Sequence, residues 1–282
     1  MKIYIIIPAY NEAEFIGETL HSLINQSFPA NKIVVVDDGS TDATPDIVTE
    51  YAAKHPKISL VKNTSEDLHL PGSKVINAFN AGLESLDNSF DIVCKFDADL
   101  IFPKDYLEKI SIHFKQNPKV GMAGGFCEIQ KDRDWMLENL TGKDHIRGAL
   151  KAYRKDCFKD IGGLKPAMGW DTVDELLAQY HGWEIKTDIT LRVKHLKPTG
   201  NNYNKNSKYK QGAAFYRLRY GFVISVIASA KLAFKKKNLG FFWDCIIGFL
   251  RAKNEKRPFL VDQEEGRFIR NLRWKKMQQK LF

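Results

Sequence analysis

Residues 1–115 alternate between short, continuously apolar runs and stretches of helical periodicity, and this alternation constrains the fold more than any other feature. Four runs have the length of a strand: Ile3 to Ile7, Ile33 to Val36, Ile58 to Val61 and Ile92 to Phe96. Between them, apolar residues recur at spacings of three and four, as on one face of a helix. Strands without polar alternation are buried on both faces, so the pattern predicts an α/β fold with a mostly parallel central sheet and helices on both faces.

Sheets of this kind bind ligands outside the carboxyl ends of their strands. Three loops follow predicted strands and carry polar side chains: Pro8 to Glu12, Asp37 to Asp42, and Asp97 to Asp99. Because the carboxyl ends of parallel strands share one edge of the sheet, we expect these loops to lie side by side.

The sequence FDADL at residues 96–100 places two carboxylates directly after the fourth predicted strand. Asp97 and Asp99 can converge on one hard cation, Mg²⁺ or Mn²⁺, with diphosphate oxygens filling other positions. Turns favour Asp on local grounds, so an acidic turn is the alternative interpretation. The position at the end of a buried strand favours the metal site.

The sequence VVVDDGSTDAT at residues 34–44 combines carboxylates with residues that cap helices. Thr41 or Asp42 can cap the following helix. Asp37 and Asp38 are not needed for capping, and they can accept hydrogen bonds from a base N–H or a ribose hydroxyl.

The sequence IIIPAYNEAEF at residues 5–15 ends the first strand at Pro8. Tyr10 can stack on a base, and Glu12 can accept a hydrogen bond from a ribose hydroxyl. Capping of a helix by Asn11 and packing of Tyr10 in the core are the alternatives.

Basic residues concentrate in the C-terminal part of the chain. Residues 201–282 contain 19 Lys and Arg against 5 Asp and Glu, a net charge of +14, whereas residues 1–200 carry −5. The apolar stretches Phe222 to Ala230 and Leu239 to Leu250 fall short of the about 20 residues that span a bilayer. With their flanking lysines they suit helices in an anionic membrane interface; packing on the first domain is the alternative. No nucleic-acid-binding motif is recognised, so we expect no nucleic acid partner.

Composition divides the chain and indicates its compartment. The polar, Asn- and Lys-rich segment 197–212 predicts a flexible loop or linker. We therefore predict a domain at 1–196, this linker, and a basic, amphipathic helical region at 213–282. The four cysteines form no CxxC pair, and the N-terminus shows no cleavable signal, so a reducing cytoplasm fits best.

Five segments in order resemble the family 2 glycosyltransferases, inverting enzymes with the GT-A fold of nucleotide-diphospho-sugar transferases. The segments are IIIPAYNE, VVVDDGSTD, GSKVINAFNAGL (72–83), FDADL and YRKDCFKDIGGLKPAMGWDTVDELLA (153–178), within about two thirds of the chain. The resemblance implies transfer of a sugar from a nucleotide-diphosphate donor, with UDP or GDP the expected nucleotide, to an acceptor hydroxyl. It also implies inversion and dependence on Mn²⁺ or Mg²⁺.

The resemblance implies roles for individual residues. Those expected to bind the nucleotide sugar are Pro8, Ala9, Tyr10, Glu12, Asp38, Lys74, Asp97 and Asp99. Asp99 is the expected direct metal ligand, with Asp97 beside it. His195, at the end of the last predicted strand, is a further candidate ligand.

The family places its catalytic carboxylate in an acidic pair at the start of a helix. Where Glu-Asp is usual, this chain has Trp170-Asp171, so Asp171 is the expected general base. Asp174 and Glu175, one turn on, are alternatives, and Asp171 can also cap the helix. Trp170 can stack on an acceptor sugar or pack in the core. The altered pair also leaves open a GT-A-fold binding or scaffold protein without activity.

The basic C-terminal region and the resemblance together indicate where the chain acts. We expect peripheral contact with an anionic membrane at its cytoplasmic face. The expected acceptor is lipid-linked or a carbohydrate, in the synthesis of a cell-surface polysaccharide or glycolipid.

Overall fold

The computed structural model describes residues 1–63, 72–138, 142, 144–197 and 209–279. The chain divides into two compact units, Met1–Thr199 and Gly200–Phe282. Most of the predicted linker, residues 198–208, lies outside the described residues.

The first unit is built on one sheet with helices between its strands. Its strands are β1 (Ile3–Ala9), β2 (Lys32–Asp37), β3 (Ile58–Lys62), β4 (Ile92–Phe96), β5 (Leu100–Ile101), β6 (Val120–Lys131), β7 (Asp134–Leu137), β8 (Leu150–Arg154) and β9 (Glu184–His195). Its helices are α1 (Ile16–Ile24), α2 (Thr44–Lys54), α3 (Ser73–Glu84), α4 (Tyr106–Gln116), α5 (Lys155–Asp160) and α6 (Trp170–Tyr180).

The four apolar runs all form strands, and they pair in parallel in the order β3-β2-β1-β4. Strand β1 lies between β2 and β4, with Ile5 opposite both Ile33 and Cys94. Its residues from Ile3 to Ile7 are buried, as expected of a strand with neighbours on both sides and helices on both faces. The predicted α/β fold is therefore confirmed.

Beyond β4 the sheet becomes mixed. Strand β8 pairs antiparallel with both β4 and β6, whereas β6 and β9 pair in parallel. The short strand β5 pairs antiparallel with the end of β9, with Leu100 opposite His195. This pairing brings the segment after β4 beside the last residue of β9.

The segment between β6 and β8 contains a fourth antiparallel pairing. Strands β6 and β7 form a hairpin whose turn contains Asp132 in the left-handed region, at φ 56°. Asp tolerates this conformation better than most residues. Strand β7 has only four residues, which alternate between exposed and half-buried, so it is shorter and less buried than the strands that local patterns identify.

The second unit is helical, as predicted for the C-terminal region. Its helices are α7 (Lys210–Arg217), α8 (Gly221–Lys235), α9 (Leu239–Asn254) and α10 (Gln263–Gln278). Helix α7 takes in the last three residues of the predicted 197–212 segment. Its residues Ala213 to Phe215 are buried within this unit, and burial stabilises a helix that a polar sequence alone would not predict. Within the described residues, each helix is too short or too polar to cross a bilayer.

Candidate active site

The loops after β1 and β2 are tied together by hydrogen bonds. The backbone N–H of Asn11 donates to Oγ of Ser40 at 3.0 Å, and the N–H of Thr41 donates to Oδ1 of Asn11 at 2.8 Å. Asn11 adopts a left-handed conformation, φ 53°, which Asn tolerates. Its side chain therefore joins the two loops instead of capping α1. The backbone N–H of Glu12 similarly donates to Oγ1 of Thr44 at 2.8 Å.

The β1 loop presents two predicted nucleotide-binding side chains in different environments. Tyr10 is 57% exposed, so its ring is accessible and does not belong to the core. Glu12 accepts a hydrogen bond from Nζ of Lys197 at 3.0 Å, while its Oε2 is buried without a hydrogen bond. Burial raises the pKa of Glu12, and the nearby charges of Asp97 and Asp99 add to this rise against the opposing effect of Lys197. Glu12 thus lies close to the carboxylates after β4.

Asp37 and Asp38, at the end of β2, have different partners. Asp37 is buried and accepts a hydrogen bond from the backbone N–H of Ser40 at 3.2 Å, which holds the turn. Asp38 is half-buried, and its Oδ1 accepts a hydrogen bond from Asn63 Nδ2 at 2.8 Å. The backbone N–H of Asp38 donates to the carbonyl of Ala9 at 2.9 Å, so the two strand ends are adjacent.

The start of α3 lies against the segment that precedes α6. Gly72 has φ 81°, and a Cβ there would lie 2.7 Å from the carbonyl oxygen of Ala167. Ser73 Oγ donates to the carbonyl of Pro166 at 2.8 Å. Lys74 lies in the first turn of α3, half-buried. These contacts place the predicted nucleotide-binding lysine near the segment that leads to Asp171.

The two carboxylates of FDADL meet His195 at the end of β9. Ligand atoms of Asp97, Asp99 and His195 all lie within 4.8 Å of one another. His195 Nε2 is 3.3 Å from Asp99 Oδ2, and His195 Nδ1 is buried without a hydrogen bond. Carboxylate oxygens with one imidazole suit Mn²⁺, and carboxylates suit Mg²⁺. This set of two carboxylates and one imidazole fits a divalent cation.

Lys95 supports Asp97 from within β4. Its side chain is buried, and its ammonium group forms an ion pair with the carboxylate of Asp97. Burial alone would raise the pKa of Asp97, but the charge of Lys95, with smaller effects of His195 and Arg147, holds it below its ordinary value. Asp97 is therefore ionised at neutral pH.

Two buried lysines face each other across the sheet, since Lys95 on β4 lies opposite Lys151 on β8. Like charges at such positions repel. Both ammonium groups lie over the ring of Trp170, at 5.3 and 5.7 Å from its centroid, and the indole provides a cation–π contact to each. A Cβ on Gly148 would lie 2.7 Å from Trp170 Cζ2, so only glycine admits the ring. Trp170 is buried and packs beside the lysines.

Asp174 and Glu175, the alternative general bases, are both buried, and their carboxylate oxygens accept several hydrogen bonds. Lys151 Nζ donates to both oxygens of Asp174 and to Glu175 Oε1, and Tyr153 also donates to Asp174. Glu175 further accepts from the backbone N–H of Ile146 at 2.8 Å. Burial raises the pKa of Asp174 despite Lys151. These two carboxylates hold α6 against β8.

Asp171 differs from its neighbours because 35% of its side chain is exposed. It lies in the first turn of α6, where the helix dipole favours a negative charge, and Gly169 occupies the cap position. His145 Nε2 is 3.7 Å from Asp171 Oδ2. Burial opposes ionisation, but His145 and Lys151 outweigh it and lower the pKa of Asp171. Asp171 is thus an accessible, ionised carboxylate.

His145 lies between two carboxylates of α6. Its Nδ1 is 2.8 Å from Glu175 Oε2, and its Nε2 faces Asp171. Burial opposes protonation, but Asp171 and Glu175 together raise the pKa of His145 to about 9. An imidazolium at this position stabilises both carboxylates.

Sequence patterns did not identify Lys95, Lys151 and His145, whose side chains contact the carboxylates of the candidate site. The two lysines interrupt strands that are otherwise apolar, IVCKF and LKAYR. A charged residue inside a strand buried on both faces requires a buried partner, so this interruption was an available signal. His145 carries no comparable signal.

The mixed α/β sheet of the first unit has the fold of GT-A-fold transferases, since solved structures of that class are similar to this chain. One is the mannosyltransferase PcManGT from Pyrobaculum calidifontis in complex with GDP-Man and Mn²⁺, with TM-score 0.56, 22% identity, and coverage of 89% of this chain and 69% of that one. Another is S. aureus TarS 1-349 in complex with UDP-GlcNAc, with TM-score 0.58, 21% identity, and coverage of 80% and 66%. At these identities the likeness concerns the fold.

Residues 4–162 match the family described as glycosyl transferase family 2. This match covers more than half of the chain, and the chain belongs to that family. The dolichol-phosphate mannosyltransferase of Pyrococcus furiosus is 30% identical over 231 residues, 78% of this chain and 62% of that protein. The poly-beta-1,6-N-acetyl-D-glucosamine synthase of Staphylococcus epidermidis is 27% identical over 185 residues, 59% of this chain.

The chain spans well under two thirds of the curated relatives that it matches first. It covers 41% of the Staphylococcus epidermidis synthase and 47% of the probable glycosyltransferase YdaM of Bacillus subtilis. The predicted family is confirmed by these matches, as is the predicted fold.

Proposed function

We propose that the chain transfers a sugar from a nucleotide-diphosphate donor to an acceptor hydroxyl, with inversion and in dependence on a divalent cation. One observation carries the proposal: Glu12, Asp97, Asp99 and His195 meet at the carboxyl ends of β1 and β4 and the end of β9. In this class of sheet, that edge is the ligand-binding edge.

We assign the nucleotide to the loops after β1 and β2. The residues assigned to the nucleotide sugar are Pro8, Ala9, Tyr10, Glu12, Asp38, Lys74, Asp97 and Asp99. The exposed ring of Tyr10 is suited to stacking on a base, and the half-buried carboxylate of Asp38 to accepting a base N–H. UDP and GDP are the expected nucleotides, because the two solved structures named above contain UDP-GlcNAc and GDP-Man.

We assign Asp99, Asp97 and His195 to Mn²⁺ or Mg²⁺. A cation held there supplies a Lewis acid for the negative charge that develops on the diphosphate leaving group. Lys95 keeps Asp97 ionised, which maintains the charge of the site at neutral pH.

We assign the role of general base to Asp171. Its partial exposure allows an acceptor hydroxyl to approach, and its lowered pKa keeps it ionised and able to take the proton. The hydroxyl oxygen then attacks the anomeric carbon on the face opposite the diphosphate. General-base assistance of this kind contributes about 10²–10⁴-fold to the rate.

A single displacement with inversion requires no carboxylate nucleophile. Asp174 and Glu175 are buried and engaged by Lys151 and His145, so they are poorly placed to form a covalent intermediate. Double displacement needs a second accessible carboxylate near the bond that breaks. This arrangement therefore favours inversion.

We infer that the second unit contacts an anionic membrane at its cytoplasmic face, where a lipid-linked or carbohydrate acceptor is presented. The end of α8 and the connection to α9 carry Lys235, Lys236 and Lys237, and Phe234 and Leu239 on either side are 88% and 84% exposed. Basic residues beside exposed apolar ones suit the headgroup region of an anionic bilayer. This contact is peripheral.

Thermal unfolding with UDP, GDP, dTDP and CDP, each with and without Mn²⁺, tests the donor site. A ligand at one hundred times its dissociation constant stabilises the native state by about 2.7 kcal/mol. We expect one nucleotide to raise the melting temperature, with a larger shift in Mn²⁺, and Asp99→Ala to abolish the Mn²⁺-dependent part.

A product assay then distinguishes an enzyme from a binding protein. It uses nucleotide-diphosphate sugars that carry the base found to stabilise the chain. Sugar transfer supports the proposed activity. Nucleotide binding without transfer or hydrolysis would favour the alternative of a GT-A-fold binding or scaffold protein. A lack of stabilisation by all four nucleotides would contradict the donor site.

A further inference from the structure

The two ring nitrogens of His195 have different neighbours. Nε2 is 3.3 Å from Asp99 Oδ2, on the side of the proposed metal ligands. Nδ1 is 3.7 Å from Oε2 of Glu138, a residue to which the proposed function gives no role. The side chains of His195 and Glu138 are 6% and 5% exposed, and both Nδ1 and Oε2 are buried without a hydrogen bond.

We propose that Glu138 is a positioning residue: when Nε2 of His195 binds the divalent cation, the Glu138 carboxylate accepts a hydrogen bond from Nδ1–H and so fixes the ring. This inference rests on the proposed function, because it takes His195 as a metal ligand. It assigns to Glu138 no contact with substrate or cation.

The position of the proton on the imidazole ring leads to this assignment. A neutral ring carries one proton, and the nitrogen that binds a metal cannot hold it. If Nε2 faces the cation, Nδ1 carries the proton and needs an acceptor, since an unpaired buried donor is costly. Metal-binding histidines commonly donate this second N–H to a carboxylate, which fixes the tautomer and the ring orientation. Among the described residues, Glu138 has a carboxylate oxygen within ion-pair distance of Nδ1.

The sheet brings Glu138 to His195 although they lie far apart in sequence. Glu138 directly follows β7, and its backbone N–H donates to the carbonyl of Cys127 on β6 at 3.0 Å. On β9, His195 pairs with Ile129 of the same strand β6. The β6–β7 hairpin therefore holds Glu138 at a fixed place relative to the end of β9.

The guanidinium of Arg147 lies against the carboxylate of Glu138 and contacts Oε2, the oxygen that faces His195. The two form an ion pair, and Arg147 is itself largely buried. A charged acceptor makes a stronger hydrogen bond to Nδ1–H than a neutral one would.

The alternative is that Glu138 binds the cation itself. Cys127, Glu138 and His195 also have ligand atoms within 4.8 Å of one another. The guanidinium of Arg147 beside Glu138 disfavours a second positive charge at that carboxylate, so the geometry favours positioning over ligation.

Mn²⁺ affinity, measured by electron paramagnetic resonance of unbound Mn²⁺, tests the proposal without reference to turnover. The titration uses Mn²⁺ alone and Mn²⁺ with UDP or GDP. Loss of an outer-shell carboxylate typically weakens metal binding about 10–100-fold. We expect Glu138→Leu to show a loss in this range and Glu138→Gln, which keeps an acceptor oxygen, a smaller one.

A double-mutant comparison distinguishes positioning from direct ligation. If Glu138 acts through His195, adding Glu138→Leu to His195→Ala leaves the remaining Mn²⁺ affinity unchanged. An equal loss with and without His195 would overturn the proposal and identify Glu138 as a ligand or a general source of charge. Glu128→Gln is the matched control, because Glu128 lies on β6 and pairs with Arg192 at 3.0 Å.

The melting temperature of each variant, measured without metal, distinguishes positioning of His195 from a merely structural role of Glu138. A lower melting temperature with unchanged Mn²⁺ affinity would overturn the proposal. If Glu138→Leu does not fold because Arg147 loses its partner, Glu138→Gln alone carries the test, and an unchanged affinity again overturns it. Failure of the unmodified chain to bind Mn²⁺ would instead overturn the proposed metal site, and with it the role of Glu138.

Discussion

Lys151 Nζ donates hydrogen bonds to both carboxylate oxygens of Asp174, at 2.8 and 2.9 Å, and the lysine side chain has no exposure to solvent. The same ammonium group reaches Glu175 Oε1 at 3.2 Å. One buried cation thus binds two buried carboxylates on α6. The arrangement fixes the helix that carries Asp171.

Lys151→Met is expected to destabilise the chain strongly. The substitution leaves Asp174 and Glu175 buried without their shared cation, and breaking a buried ion pair on one side costs about 3–5 kcal/mol. Denaturant unfolding measures the loss. Lys159→Met is the control. Lys159 is exposed on α5, and this substitution is expected to change the free energy of unfolding by less than about 0.5 kcal/mol. Equal stabilities of the two variants would show that the buried cluster is not needed.

Asp171→Asn is expected to lower the rate of transfer by about 10²–10⁴-fold. The side chain keeps its size and its partial exposure but can no longer take a proton. Nucleotide binding should remain that of the unmodified chain, whereas the melting temperature at neutral pH should fall modestly, because the Asp171 charge helps to raise the pKa of His145. Steady-state rates beside nucleotide titrations provide the measurement.

Asp174→Asn is the matched substitution for Asp171→Asn, one turn further along α6. Because Asp174 is buried and bound by Lys151 and Tyr153, we expect reduced stability from this variant. Full activity in Asp171→Asn, with inactivity in a folded Asp174→Asn variant, would move the general base to Asp174.

The pH dependence of stability is expected to reveal the charged state of His145. Its pKa is raised from 6.5 to about 9 in the folded chain by Asp171 and Glu175, against the effect of burial. A raised pKa means that the folded state binds the proton more tightly than the unfolded chain. The stabilisation is therefore complete below about pH 6.5 and is lost as the pH rises toward 9.

His145→Gln should remove this pH-dependent part. The glutamine variant is expected to be less stable at pH 6, with the difference shrinking between pH 6.5 and 9. Unfolding in urea across this range measures both chains. A stability difference that is constant with pH would show that His145 has the same pKa in the folded and the unfolded chain.

Much of the fold could be predicted because the relevant signals are local. The apolar runs at Ile3 to Ile7 and Ile92 to Phe96 identify strands by themselves, and their carboxyl ends identify the candidate loops. The contact between Asp99 and His195 could be anticipated only as a family expectation, since it depends on β5 pairing with the end of β9.

The surroundings of Asp171 could not be predicted, because they too depend on contacts between strands that are far apart in sequence. Lys95 faces Lys151 only because β4 and β8 are antiparallel neighbours, a pairing that local patterns do not contain. Trp170 stands where an acidic residue was expected. Its cation–π contacts can be recognised only in the folded chain, where both lysines lie over its ring. The choice between Asp171 and Asp174 likewise depends on which carboxylate the buried lysine reaches.

The second unit is expected to bind anionic vesicles through the connection between α8 and α9. Phe234 and Leu239 are almost fully exposed beside three lysines, and Trp243, one turn into α9, is 62% exposed. Apolar side chains entering the headgroup region and lysines facing anionic lipids would act together. Sedimentation with phosphatidylserine vesicles should show binding that weakens with salt, and phosphatidylcholine vesicles should show little.

Phe234→Glu with Leu239→Glu should abolish vesicle binding without loss of nucleotide binding, because both changes combine a lost apolar contact with a repulsive charge. Ile189→Glu is the control, since Ile189 is exposed on β9 in the first unit. Salt-sensitive binding to DNA as strong as that to vesicles would indicate a general polyanion surface. A change in oligomeric state in the paired variant, with vesicle binding absent from the unmodified chain, would show that a second copy covers these side chains, and the membrane contact would be wrong.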